Sequence, residues 1–591
     1  MAYKKYLRFT RQRIRKWHWL SDTPAMLCWA VVMGALGAGV VMLFYESIYL
    51  IQRTVTGQSG SITQVTRSLS WDMRLLFPTL GGLGAGWLLW LAGRKKTSTA
   101  SDYMEAVSIG DGRMSLRQGV LRSMSSLCTV ASGGAIGREG PMIHLSSLAA
   151  SLFGRFIYIA PERLRLLVAC GAAAGVAAAY GAPLAGAIFV AEIVLGSMSI
   201  QTLGPLLVAS ATANITMRMS DHYTAPYEMF GMSSVVGWEI ATFVLLGLLI
   251  GVVAPGFLKL LNLTKQLFVR SGLPLIARLT VGGFILGLLL IMIPDVAGNG
   301  YSVVSSFLHE PWTWYAVVAM LFAKVLATTI TVGSGAIGGV FTPALFVGAA
   351  FGTLFGQVVH WVLPAHGIET YVYTLVGMGA FLGAATSAPL MAILMLFEMT
   401  LSYQLVLPLI LAGVTAYFMS RTLAEVAMYD VTLARERDQL LRFTLRNTRL
   451  SELVRPADTV LKTDSTVGDA LQMFLDYPVR FIYVVDENNH YLGVIAQPEL
   501  MRLLMNHNDA HDQPIGEVLK LDYVQTLTPD MSLDHAQELF IDFVGERLPV
   551  IRSRHEPRLL GVVYKSALLE KYSALKRSLD ASSEALVSLK R

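Results

Sequence analysis

The chain has 591 residues, of which 54% are hydrophobic and only 15% charged, with a formal net charge of +6. A soluble globular protein carries nearer a quarter of its residues as charges, so this composition excludes one and points to a chain lying mostly in a bilayer. The three cysteines, Cys28, Cys128 and Cys170, all sit in apolar segments and exclude a disulfide framework. The basic balance reads as juxtamembrane charge, with no nucleic-acid partner.

In chain order, the first seventeen residues hold seven Lys or Arg and no acid. The positive-inside rule reads residues 1–24 as a basic cytoplasmic N-terminus, and puts Arg94-Lys95-Lys96, two apolar spans later, on the same side. Ala25 to Phe44 is twenty residues without a charge, enough to cross a hydrocarbon core of about 30 Å. No small-residue cleavage site follows it, which makes a signal peptide the weaker reading. Further apolar stretches recur around 74–93, 183–199, 233–255, 279–294, 315–331, 344–363, 371–396 and 404–419. Several are short or broken by Gly and Pro. Interrupted helices at membrane depth are tolerated where freed backbone groups are buried in protein or line a cavity, which points to a transport protein.

One acid stands out among these stretches. Gly134-Ala-Ile-Gly-Arg138-Glu139-Gly140-Pro141 sets a carboxylate among glycines in an apolar region. Such a charge costs about 2.5–3.5 kcal/mol at a bilayer centre, so Glu139 is predicted to face a water- or ion-filled cavity. Lys324, in another apolar helix, reads as the interior partner of a carbonyl or carboxylate. His144 reads as packed or hydrogen-bonded, and Glu46, Asp72 and Asp295 as span-end groups that reach water.

An internal repeat organises this part. Ala174 through Glu192 aligns without a gap on Ala380 through Glu398 at an offset of 206, Gly134-Ala-Ile-Gly137 matches Gly335-Ala-Ile-Gly338 at 201, and Leu152-Phe-Gly154 matches Leu354-Phe-Gly356 at 202. In many secondary transporters such repeats meet at the midplane, with substrate held where broken helices point at one another. Whether these run parallel or inverted is not set by spacing. Glycine-rich turns that open a helix present unpaired N–H groups at its positive end, a ready anion site. There is one per half, Gly134–Pro141 and Gly333–Pro343. The Ala- and Gly-rich residues 171–186 read instead as tight helix contact.

Gly137-Arg-Glu-Gly-Pro141, Gly338-Gly-Val-Phe-Thr-Pro343 and the Ala-Pro-Leu-Ala-Gly run before Glu192 together resemble the ClC family of chloride channels and Cl⁻/H⁺ exchangers, over roughly residues 20–440. The resemblance implies an all-α polytopic membrane fold, the ClC fold, with two inverted repeats of broken, tilted helices at about 25–215 and 230–430. It implies a homodimer with one anion pore per subunit. It makes Glu139 the gating glutamate, whose carboxylate occupies an anion site until it swings away or is protonated. Anion-binding groups would come from Gly137, Arg138 and Gly140 beside it, from Gly339 and the amides of Val340 and Phe341, and from the Tyr429 phenol.

Two departures accompany these matches. The family's first anion motif reads Gly-Ser-Gly-Ile-Pro, whereas this chain has Thr97-Ser-Thr-Ala-Ser-Asp-Tyr-Met-Glu105, similar to the bacterial ClcB-type branch. Counting back from Glu139 puts Ser98 or Thr99 where the serine hydroxyl should be, so selectivity among anions is not fixed by the resemblance. Coupled exchangers of the family also carry a second glutamate after the acid that ends the Ala-Pro-Leu helix pair. Here Glu192 is followed by Ile193, which cannot carry a proton. The internal proton-relay position is lost, and Glu192 reads as structural, like its repeat mate Glu398.

After residue 430 the composition turns polar. Residues 431–450 read as a linker helix, and two further units follow. Ser465 to Phe474 matches Met531 to Phe540 at an offset of 66, and Leu492-Gly-Val-Ile495 matches Leu560-Gly-Val-Val563 at 68. Each reads as strand, amphipathic helix, two short strands and a helix. The pattern resembles a cytoplasmic α/β CBS pair at 451–510 and 511–575, before a charged tail at 576–591. The ribose-binding Thr and Asp of that family are Ala496 and Glu499 in the first unit and Tyr564 and Ala567 in the second. An adenine nucleotide would lose its usual hydrogen bonds, and a scaffold steadying the dimer is the favoured role.

The expected function is passive, Glu139-gated chloride transport in a bacterial inner membrane, with the CBS pair cytoplasmic. A Cl⁻/H⁺ exchanger with an atypical proton route is the alternative, and an anion sensor signalling through the CBS pair a third. The soluble part offers no nucleophile–base set or metal-ligand spacing, so no enzyme, metal or cofactor is assigned. The partners are chloride or other small anions, the bilayer and a second copy of the chain.

Overall fold

The computed structural model describes residues 23–589 except 59, 95–101, 109, 158, 221–226, 228–238, 364–367, 425–427, 430–444, 446–447, 507–509, 522 and 542. The expected N-terminal basic segment up to residue 22, Ser98 and Thr99, and most of the expected linker helix lie outside the described residues. The chain divides into two compact units, Met1–Leu433 and Ala434–Arg591.

The first unit is helical. Its first half runs α1 (Thr23–Thr56), α2 (Ile62–Ser68), α3 (Trp71–Gly93), α4 (Tyr103–Ser108), α5 (Leu116–Ala131), α6 (Glu139–Phe156), α7 (Pro161–Tyr180), α8 (Pro183–Phe189) with a wider π turn (Val190–Leu195), and α9 (Ile200–Arg218). Its second half runs α10 (Ile240–Arg270), α11 (Leu275–Met292), α12 (Tyr301–His309), α13 (Trp314–Gly333), α14 (Phe341–Val362), α15 (Thr370–Thr386), α16 (Pro389–Thr400) and α17 (Val406–Leu423). Among the described residues, eight helices are long and apolar enough to cross a membrane.

Two apolar stretches resolve differently from the expectation. Residues 371–396 are two helices, because the chain breaks at Ser387, with φ of 60°, and restarts at Pro389. The 183–199 stretch is only α8 and its π turn, while the span in that region is α7, whose Ala and Gly content lowers its hydropathy. Those small residues serve contact, as expected. A Cβ on Gly175 of α7 would meet the Ile143 backbone of α6 at 2.9 Å. On Gly352 of α14 it would meet the Tyr373 carbonyl of α15 at 2.2 Å. Helices approach this closely because, without a hydrophobic drive inside lipid, van der Waals contact holds them.

The two halves repeat the same break. α7 ends at Gly181 with φ of 68° before Pro183, and α15 ends at Ser387 with φ of 60° before Pro389. The short helices that follow end on left-handed residues as well, Gly196 with φ of 62° and Leu401 with φ of 53°. Proline at the first turn supplies the fixed φ of a helix start without needing the missing N–H.

The second unit is mixed α/β. It runs β1 (Val460–Lys462), α18 (Val467–Asp476), β2 (Phe481–Val485), β3 (Tyr491–Ala496), α19 (Gln497–Asn506), β4 (Leu519–Leu521), α20 (Leu533–Ile541), β5 (Arg547–Ile551), β6 (Leu559–Tyr564) and α21 (Lys565–Leu589). The order of elements matches the pattern read from the two short repeats. β1 pairs parallel with β2, and β2–β3 and β3–β4 are antiparallel, while β5 and β6 form an antiparallel pair. The sheet of the first repeat is completed by β4, a segment beyond residue 510. The β5–β6 pair is joined by an isolated antiparallel bridge from Arg455 to Val562, so each repeat takes a backbone partner from the other. The end of the expected linker is extended at Arg449, which bridges to Ser532, before a 3₁₀ turn at Leu450–Leu453. α18 opens with a capping box of Thr466 and Asp469. The Thr466 N–H and hydroxyl hold the Asp469 carboxyl below the usual carboxylate range.

Candidate anion pathway

The two glycine-rich turns meet. The Gly137 N–H donates to the Gly339 carbonyl at 2.7 Å and the Gly339 N–H to the Gly137 carbonyl at 2.9 Å, an antiparallel bridge between the halves. In this arrangement the N–H of each of these two expected site residues already has a carbonyl acceptor. A Cβ on Gly137 would fall 2.0 Å from Glu139 Oε2 and 3.1 Å from the Gly339 carbonyl, so a side chain there would push the carboxylate aside.

From this bridge α6 and α14 start, at Glu139 and Phe341, with Arg138 and Val340 as their N-cap residues. The first N–H groups of a helix have no intrahelical acceptor, and those of α6 and α14 begin beside the bridge. Glu139 is 2% exposed. Its Oε1 accepts a 2.5 Å hydrogen bond from Thr342 Oγ1, whose oxygen lies 3.5 Å from the Tyr180 hydroxyl. Its Oε2 is buried and makes no hydrogen bond. A buried carboxylate oxygen without a donor is costly to keep charged, which leaves protonation or departure of the side chain as the ways to relieve it.

Three helix starts near the centre face carboxylates. Glu398, at the end of α16, accepts from the Leu184 and Ala185 N–H groups at the start of α8, at 2.9 and 2.8 Å. Glu192, on the π turn after α8, accepts from the Met391 N–H at the start of α16, at 2.9 Å. These reciprocal caps give both acids the structural place read from the repeat. The third carboxylate, Glu139, reaches the start of α14 through Thr342. It differs from the other two in standing in the first turn of its own helix, beside a glycine bridge.

The remaining expected residues are placed as follows. Phe341 is buried, and its ring meets those of Phe189 at 5.4 Å and Tyr429 at 5.9 Å. Tyr429 also meets Phe189, at 6.3 Å, and the Met428 N–H donates to the Ala385 carbonyl, anchoring the segment to the end of α15. The Arg138 guanidinium lies over the Tyr45 ring, 4.4 Å from its centre, so its side chain is engaged by α1. Ile193 is 1% exposed and packs in the apolar core. His144 is packed as read, edge-on to Tyr103 with centroids 6.4 Å apart and Nδ1 3.7 Å from Asp102 Oδ1. Asp295 is not simply in water, since Arg67 pairs with it at 2.5 Å. Sequence reasoning passed over Thr342, although it stands inside the Gly338–Pro343 motif as the only hydroxyl there, and over Tyr180, whose hydroxyl lies beside it.

In the second unit, Tyr564, at the ribose-threonine position, is occupied by the protein itself. The Arg547 guanidinium lies between the rings of Tyr483 and Tyr564, at 5.4 and 5.9 Å, and donates to Thr459 Oγ1. At the first position Ala496 is buried, and Glu499 pairs with Arg502 at 3.6 Å.

The sequence matches the family described as voltage gated chloride channel over residues 81–421, and the CBS domain family over residues 450–506 and 514–574. It is 49% identical over 426 residues to a putative chloride channel protein ClcB-like of Ralstonia nicotianae, covering 71% of this chain and 98% of that one. It is 39% identical over 405 residues to a voltage-gated ClC-type chloride channel ClcB of Citrobacter koseri, covering 68% and 97%. Among solved structures, a slow cyanobacterial Cl⁻/H⁺ antiporter superposes with a TM-score of 0.60 at 25% identity, covering 70% of this chain and 97% of that one. A eukaryotic CLC transporter superposes with a TM-score of 0.59 at 18% identity over 92% of this chain and 97% of that one, a likeness of fold alone. With its apolar helices, its paired glycine-rich turns and its C-terminal CBS repeats, this integral membrane chain belongs to the ClC family of chloride transporters.

Proposed function

We propose that the chain moves chloride passively through a pathway gated by Glu139. The observation that carries this reading is the buried Glu139 carboxylate, set against the Gly137–Gly339 bridge, held by Thr342 on one oxygen and unpartnered on the other. A carboxylate is itself an anion, so where it sits a chloride can sit once it leaves, and protonation removes its claim on the site. The amides of Val340 and Phe341, the Tyr429 hydroxyl, and Ser98 or Thr99 are the proposed further ligands. Ile193 supports passage without proton coupling, because the position beside Glu192 holds an alkyl side chain in an apolar setting.

The functional form would be a homodimer in a bacterial inner membrane, with its N-terminus and CBS pair cytoplasmic. Residues 25–430 would form the transport domain and 451–510 and 511–575 the CBS units, acting as a scaffold and without enzymatic chemistry. Arg547 and Tyr564 engaging each other support that role over nucleotide binding. Titration of the purified full chain with ATP, ADP and AMP should give no saturable heat.

The exchanger reading has its own support: the solved structures similar to this chain include a slow cyanobacterial Cl⁻/H⁺ antiporter. Purified protein in liposomes with a chloride gradient and valinomycin distinguishes the two. The passive reading expects chloride efflux with no sustained uphill proton movement; sustained uphill proton movement would establish the exchanger instead.

A further inference from the structure

A threonine inside an apolar helix can return its hydroxyl to the backbone carbonyl one turn back. Thr331, Thr353, Thr386, Thr400 and Thr415 all do so, donating to the carbonyls of Ala327, Ala349, Leu382, Leu396 and Leu411 at 2.7–2.9 Å. Thr342 cannot. It stands in the first turn of α14, which opens at Phe341 after the N-cap Val340, so no helical carbonyl lies one turn behind it. Its hydroxyl, on a residue 2% exposed, donates instead to Glu139 Oε1 at 2.5 Å, from the second half of the unit to the first. The Thr342 oxygen also lies 3.5 Å from the Tyr180 hydroxyl at the end of α7, whose ring is tilted against that of Phe341 with centroids 6.5 Å apart. A hydroxyl carries one proton and two acceptor lone pairs. With the Thr342 proton given to Glu139, the Tyr180 hydroxyl is the donor of the second pair and keeps the Thr342 proton aimed at the carboxylate.

We infer that the Thr342 side chain is itself a ligand of the transported anion: the O–H it points at the Glu139 carboxylate points at the chloride that takes the carboxylate's place. The inference rests on the gating role proposed for Glu139. Both acceptors are anions in a buried setting, and hydrogen bonds to charged acceptors are the stronger kind. When Glu139 leaves, the buried hydroxyl loses its acceptor, which is costly, and an anion in the vacated place restores one. Chloride, like a carboxylate, accepts and does not donate, so the order of donors from Tyr180 through Thr342 stays as it is. One proton serves one acceptor at a time. Carboxylate and chloride therefore compete for it, and Thr342 stabilises the closed gate and the occupied site by similar amounts. Loss of the hydroxyl weakens chloride binding fully only where Glu139 is not there to compete.

The test is isothermal titration of the detergent-solubilised full chain with chloride, as a double-mutant cycle. In the Glu139→Ala background, Thr342→Val should weaken chloride binding about tenfold, the value of one hydrogen bond to an ion. With Glu139 present, the same Thr342→Val change should leave the affinity within about twofold, because both competitors lose the same donor. Thr342→Ser, which keeps the hydroxyl, should bind as threonine does in both backgrounds. Equal affinities with and without Thr342→Val in the Glu139→Ala background would overturn the ligand role. Equal weakening in both backgrounds would overturn the sharing and leave Thr342 a structural residue. Should Thr342→Val not yield folded protein, Thr342→Ala decides by the same criteria. Glu139→Ala alone separates the readings: it should tighten chloride binding, and an unchanged affinity there rejects the gate, while the Thr342 comparison within that background still reads the ligand.

Discussion

The two halves of the membrane unit share a backbone and differ in a side chain. Both break a long helix on a left-handed residue before a proline, both close the short helix that follows on another, and each short helix end caps the start of the other through a glutamate. Both also open a helix two residues after a bridging glycine, α6 from Gly137 and α14 from Gly339. At the first helical residue the halves part. The first half places Glu139, an acid, and the second places Phe341, a ring packed on Phe189 and Tyr429. The two capping glutamates are answered by helix-start amides of the opposite half, whereas the asymmetric position leaves an oxygen of Glu139 without a donor. Scaffold and gate are thereby separated: repetition builds the site, and one departure from repetition gives it something to move.

The largest expected effect comes from erasing that difference. Glu139→Gln keeps the shape and removes the titration, so chloride efflux that changes up to about tenfold per pH unit near the midpoint should become flat with pH. A stopped-flow or electrode efflux assay across pH 4.5–7.5, roughly the range in which carboxylates and histidines titrate, reads it directly.

Next in size is the reciprocal cap. Glu398→Ala removes the acceptor for two helix-start amides and should cost about 1–2 kcal/mol, seen as a lower midpoint in thermal unfolding of the detergent-solubilised chain. Glu192→Ala should cost a similar amount, because it holds the matching place. A gating phenotype in either variant without loss of stability would show that the scaffold and the gate are not separate.

Smaller still is the backbone comparison. Gly181 and Gly196 suit their left-handed conformation, but Ser387 and Leu401 hold the same turns with a Cβ. Leu401→Gly should stabilise the chain by about 1 kcal/mol, and Gly196→Leu should destabilise it, both in the same thermal assay. The CBS unit supplies the smallest effect. The Asp469 carboxyl is held below its ordinary range by Thr466. A carboxylate lowered in the folded state contributes stability above its unfolded value and loses it as pH falls through the folded one. Asp469→Asn should therefore leave stability near neutrality lower and flatten its decline below about pH 4, measured by far-ultraviolet unfolding at stepped pH.

Much of this was legible in the sequence. The membrane class followed from composition, the two halves from Ala-Pro-Leu and Gly-Ala-Ile-Gly at nearly one offset, and Glu139 from the cost of an acid among apolar residues. The Glu192 and Glu398 roles followed from their shared context. Other features were not legible, because they depend on contacts between residues far apart in the chain. Thr342 lies 203 residues from Glu139, and nothing in the spacing pairs the two. The pairing of β4 with β3 and the bridge from Arg455 to Val562 leave no periodicity to read.

The sequence by itself determined which residues were expensive: an acid and a lysine in apolar helices, and glycines where a side chain cannot fit. Residue type alone sets the cost of burying a charge and the backbone freedom of a glycine. Only the tertiary structure decided how each cost was met. It joined Gly137 to Gly339, gave Thr342 to one oxygen of Glu139 and nothing to the other, and turned the Lys324 charge onto two carbonyls. Hydrogen bonds need partners within about 3 Å of each other, and that proximity across the two halves arises when the repeats fold against one another.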